Sequence, residues 1–92
     1  SPLAEEASER AEQELIMYSL INALPEKERT LLNLKYLQGE SVENLQSQLN
    51  ISGSAIKMRL KRSREKLNML YALSLTYGLE QVLEQLELFT AA

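Results

Sequence analysis

The stretch Ile51-Ser52-Gly53-Ser54-Ala55-Ile56-Lys57-Met58-Arg59-Leu60-Lys61-Arg62-Ser63-Arg64-Glu65-Lys66-Leu67 governs how the rest of the chain folds. On an α-helix each residue advances about 100° around the axis. With Ile56 set at zero, Leu60, Ser63, Leu67, Leu70 and Tyr71 fall within about 60° of it and form one continuous, mostly apolar face. Gly53 lies on the same side, near Leu60, where a missing side chain lets two helices approach closely. Lys57, Lys61, Arg62, Arg64 and Lys66 occupy the rest of the circumference. Arg59 sits at the boundary, with a stem long enough to carry its charge outward.

The charge of this stretch is out of keeping with the chain. The 92 residues carry a net charge of −3, and all thirteen acidic residues are glutamate. Residues 1–50 sum to −5 and residues 72–92 to −3, whereas residues 51–71 sum to +5, with six cations against Glu65 alone. Lys57–Lys61 and Arg62–Lys66 are like-charge pairs at i, i+4, each costing a few tenths of a kcal/mol in an isolated helix. A solvated face ordinarily interleaves glutamate with its cations. A concentrated positive field on one cylinder therefore points to a polyanion.

Working upstream, Ser52 is placed to cap this helix. Asn50, a residue that tolerates the left-handed conformation, ends the helix before it. That shorter helix is capped by Ser41 and buries Val42, Leu45 and Leu49. Only about three residues separate the two helices, the spacing of a helix-turn-helix unit. Before them, Pro25 suits the first position of a helix presenting Leu31, Leu34 and Leu37, flanked by Leu32 and Tyr36 and stopped by Gly39. An N-terminal helix from about Leu3 to Ala23 starts as a polar, glutamate-rich linker and gains an apolar stripe at Ile16, Leu20, Ala23 and Leu24. Downstream the pattern blurs from Ala72 to Tyr77, and Gly78 marks a break. A last helix sets Leu79, Val82, Leu83, Leu86 and Phe89 on one broad face.

The expected fold is all-α: a four-helix domain with a helix-turn-helix, plus an extra C-terminal amphipathic helix. Residues 1–23 read as N-terminal helix or linker, 24–71 as the helix-turn-helix domain, and 72–92 as a C-terminal helical extension. The last helix has three readings: it covers the core in cis, it forms a dimer or partner seam, or its acidic side chains lie against the basic helix and inhibit it.

Composition narrows the chemistry. The chain has no cysteine, histidine or aspartate, so disulfides, most metal sites and most acid–base machinery are not expected. No nucleophile–base pair has recognisable spacing, so neither an enzyme nor a cofactor or small-molecule ligand is expected. No apolar run approaches the ~20 residues of a membrane span, and no signal peptide is visible. A cytoplasmic protein is the expectation. The chain opens Ser1-Pro2-Leu3 without an initiating methionine, and a fragment of something longer is expected.

A helix of this kind fits the DNA major groove with its N-terminal residues on base edges. Ser54, Ala55, Lys57, Met58 and Lys61 are the candidates for reading bases. Ser52 can offer its hydroxyl and the helix N-terminus to a phosphate. Arg59, Arg62 and Arg64 point elsewhere and are assigned to phosphates.

The run Ala23-Leu24-Pro25, Glu28-Arg29, Leu37-Gln38-Gly39-Glu40-Ser41 and Ile51 to Leu67 resembles the C-terminal promoter-binding region (region 4) of extracytoplasmic-function sigma factors of the sigma-70 family. The resemblance covers about half the chain and is strongest from Lys57 to Leu67, where Lys57, Arg59, Leu60, Arg62 and Arg64 keep the family spacing. It implies binding of the upstream (−35) promoter element, attachment to RNA polymerase core through the β flap, and sequestration by an anti-sigma factor. The sequence departs from the pattern at Gln46, where the family has a small alanine, at Gln48, and at Ser54-Ala55-Ile56.

Two other readings compete. The segment Gly39 to Lys57 alone also fits a helix-turn-helix output domain of a response regulator or another dimeric transcription factor. Arg59 to Arg64 favour sigma. The other possibility is an interaction module whose apolar grooves bind a regulator's helix while DNA contact is masked.

Overall fold

The computed structural model describes residues 1–91, with side chains to Phe89. Five α-helices follow in order: α1 (Pro2–Ala23), α2 (Glu26–Leu32), α3 (Val42–Leu49), α4 (Gly53–Tyr77) and α5 (Leu79–Ala91). A π-helical turn (Asn33–Leu37) continues α2 directly. The all-α expectation holds among the described residues.

The starts and stops follow local chemistry. Ser41 Oγ accepts the N–H of Asn44 at 3.0 Å, and Ser52 Oγ accepts that of Ala55 at 3.2 Å, so both helix-turn-helix helices are capped as their sequences require. Asn50 adopts φ +54° between them and closes α3 by donating its N–H to the Gln46 carbonyl. The turn from α3 to α4 is therefore Asn50-Ile51-Ser52. Pro25 falls one position earlier than expected: with ψ near 151° it is still extended, and α2 starts at Glu26.

The core forms two clusters joined by α2 and α4. The first contains Leu20, Ile21, Leu24, Leu32, Leu67, Leu70 and Val82. The second contains Leu31, Leu45, Ile56 and Leu60, with Val42, Leu49 and Ile51 packed on it. Adjacent Leu31 and Leu32 thus serve opposite clusters. The α4 stripe serves both, with Ile56 and Leu60 in one, Leu67 and Leu70 in the other, and buried Ser63 between them.

The structure revises four sequence expectations. Leu37, expected in the buried face of the second helix, is 50% exposed. The last turn is π-helical: Gln38 N–H reaches back five residues to the Asn33 carbonyl, and the smaller angular step carries Leu37 further from the Leu31–Leu34 face. Leu32, expected only to flank that face, is fully buried. The helix does not blur after Tyr71: α4 runs unbroken to Tyr77, and buried Ser74 extends its stripe before Gly78 turns the chain at φ +93°. Phe89 lies off the α5 contact face and is 80% exposed.

Helix α5 packs in cis. Val82 is buried, and Leu79, Leu83 and Leu86 pack on the first cluster, against α1 and the C-terminal half of α4. This places α5 at the Leu67–Leu70 end of α4, away from the Ile56–Leu60 end, so the self-inhibition reading loses its geometric basis. Among the described residues no helix is long and apolar enough to cross a membrane.

Candidate nucleic-acid interface

Three features present the N-terminal half of α4 to solvent. Ser52 starts the helix cleanly. The second cluster holds Ile56 and Leu60. Close contact with α3 fixes its angle: a Cβ added at Gly53 would meet Gln46 Oε1 at 3.1 Å and Gln46 Cδ at 3.2 Å. The glutamine that departs from the family's alanine is thus accommodated opposite a residue without a side chain.

The candidate residues sort by position. Ser54, Lys57, Arg59, Lys61, Arg62 and Arg64 are all exposed, and Met58 is 45% exposed. Ser52 is exposed as well, but its hydroxyl already holds the Ala55 N–H and lies 3.2 Å from Ser54 Oγ. Ala55 is half-buried and so less available than its neighbours. By helical phase, Lys57, Lys61 and Arg64 lie on one flank and Arg59, Arg62 and Lys66 on the other, with Ser54 and Met58 on the outermost strip. A duplex facing that strip would meet cations on both sides.

Not all six cations are available to the same degree. Lys66 is half-buried and pairs with Glu28 of α2, with Nζ 3.1 Å from Oε2 and 3.3 Å from Oε1. It ties α4 to α2 and relieves its repulsion with Arg62. Lys61 lies 4.0 Å from Glu65, a solvent-exposed pair worth little. Lys57, Arg59 and Arg62 make no ion pair among the described residues. Arg64 donates from Nη1 to the Tyr36 hydroxyl at 2.9 Å.

Sequence reasoning passed over two residues near this face. Lys27, at the start of α2, joins Arg59 and Arg62 in lining an open cleft of about 530 Å3 that Glu26, Glu28, Leu31 and Leu49 also line. Tyr36, within the π turn, reaches Arg64 of α4. Lys27 had no signal beyond its charge, and Tyr36 had none at all, since the π turn is invisible to a regular helical period.

A capped, cation-flanked second helix behind a three-residue turn defines a helix-turn-helix DNA-binding domain. The sequence pattern of the family described as "Sigma-70, region 4" matches residues 14–67. The chain is also 42% identical over 67 residues to the RNA polymerase sigma factor SigZ of Bacillus subtilis (strain 168), a match covering 73% of this chain and 38% of that protein. No solved structure gives a significant match. The chain therefore belongs to the sigma-70 region 4 family, and it spans about two fifths of the length of this relative.

Proposed function

We propose that this chain is the promoter-binding C-terminal domain of an alternative sigma factor, one that reads the upstream (−35) element while attached to RNA polymerase core. The observation that carries this reading is the exposed, capped N-terminal half of α4, with Lys57, Arg59 and Arg62 free of ion pairs among the described residues and flanking Ser54 and Met58. In this role Ser54, Lys57, Met58 and Lys61 face base edges, with Ala55 at the margin, while Ser52, Arg59, Arg62 and Arg64 address phosphates. Residues 24–71 form the recognition unit, 1–23 are the N-terminal helix that leads into it, and 72–92 are the C-terminal extension, of which Val82 and Leu83 pack on the core.

Family membership and the likeness to SigZ support the transcriptional setting, which is cytoplasmic. The polymerase partner is the β flap, and an anti-sigma factor is the regulator this family membership favours. The half-exposed Tyr18 and Leu37, beside Met17 in a groove between α1 and α4, offer apolar surface for a protein partner.

The test is the stoichiometry of binding to duplexes selected from random-sequence DNA by the chain itself. Salt-sensitive binding of one chain to one short element is expected. Dimeric loading on inverted half-sites about one helical turn apart would assign the domain to operator-binding regulators instead.

A further inference from the structure

The Tyr36–Arg64 contact joins the π turn to the recognition helix across 28 positions of sequence. Tyr36 is 49% exposed and Arg64 is exposed, so the contact contributes little to the core and lies open to a ligand. Arg64 occupies the Lys57–Lys61 flank of α4, about 10 Å further along the axis than Lys57. The groove bordering the pair carries Arg10 and Glu14 of α1, whose charges offset one another. The pair therefore presents a net positive charge where a DNA strand leaving the groove would pass.

Resting on the promoter-binding reading, we propose that Tyr36 is a positioning residue for DNA: its hydroxyl holds the Arg64 guanidinium in place, and the two grip one backbone phosphate. The donor arithmetic fits. The tyrosine oxygen accepts from Arg64 and keeps its own proton free to donate. The guanidinium has five N–H donors, of which this contact uses one. A phosphate oxygen set between them accepts from both; both bonds are charge-assisted because the phosphate is ionised, and only the Arg64 bond also neutralises its charge. Holding a long side chain before DNA arrives also lowers the entropy lost on binding. Tyr36 lies within the π turn, and its exposed hydroxyl faces α4 there.

The experiment uses the 92-residue chain and a duplex it selects from random-sequence DNA, on which it sits in one register, titrated between about 50 and 200 mM salt. Tyr36→Phe is expected to weaken binding about tenfold with the salt slope unchanged, since a hydrogen bond is lost but no cation is removed. Arg64→Gln is expected to lower the slope by about 0.9. In the Arg64→Gln background, Tyr36→Phe is expected to cost less than about threefold. Scanning the duplex with single neutral methylphosphonates should locate one position at which both effects vanish. Melting temperature should not move in either variant.

Parent-like binding by Tyr36→Phe, or losses that multiply independently in the double variant, would overturn the positioning role and leave the promoter-binding reading standing. An affinity loss that tracks a fall in melting temperature would make the contact purely structural. Failure of the unsubstituted chain to bind DNA in a salt-sensitive way would overturn both.

Discussion

Replacing Gly53 by alanine tests the geometry of the helix-turn-helix at its tightest point. Replacing a glycine by alanine at a backbone position that alanine can adopt stabilises by about 0.4–1 kcal/mol, chiefly through the unfolded state. Gly53 is the first residue of α4 and does not have positive φ, so that gain is available. Against it stands Gln46, whose amide atoms would lie 3.1–3.4 Å from the new Cβ. The glutamine end is flexible, but displacing it from its rotamer costs about 0.5–1.5 kcal/mol. The two effects nearly cancel, so Gly53→Ala alone is expected to fall within about 0.5 kcal/mol of the parent. In a Gln46→Ala background the obstacle is gone, and the same substitution should stabilise by about 0.4–1 kcal/mol. Urea denaturation of the four proteins, fitted to a two-state transition, reads the difference as a coupling energy. Equal stabilisation in both backgrounds would mean that α3 and α4 do not approach as described.

Three further variants separate structural charges and helices from functional ones. Lys66→Met should break the pair with Glu28 and, because both side chains are about one-third exposed, lower stability by no more than about 1 kcal/mol while leaving the salt slope of DNA binding intact. Arg62→Gln should instead lower the slope by about 0.9 with little effect on melting, and equal slopes for the two variants would erase the distinction. Deleting residues 78–92 should lower the melting temperature by roughly 10 °C or more, since Val82 alone is worth about 1.5–3 kcal/mol of a total near 5–14 kcal/mol. Unchanged melting accompanied by tighter DNA binding would restore self-inhibition by α5.

Most of this fold was legible because its decisive signals are local. Ser41, Ser52 and Asn50 do in the structure what their side chains favour in any peptide, and the period from Ile56 to Leu70 survives folding intact. Ser74 continued the same period and could have been read as buried. Two features could not be read. The π turn adds a residue to the hydrogen-bond ladder, so a fixed 100° step misplaces Leu37 and gives no hint that Tyr36 meets Arg64. Leu31 and Leu32 look redundant in sequence, yet they serve different clusters because α2 lies between two sets of helices. The candidate interface follows the same division: its cations were visible as a segment, while the diversion of Lys66 to Glu28 depends on a residue 38 positions away.

The central claim is that the unpaired cations of α4 hold DNA. It is tested most directly by replacing Lys57, Arg59 and Arg62 together with glutamine, checking helicity by circular dichroism, and measuring affinity for duplex DNA as a function of salt. The slope of log K against log salt should flatten by about 2.7, with a steep loss of affinity at low salt in a chain that remains folded. A folded triple variant with the slope and affinity of the parent would show that the duplex binds elsewhere.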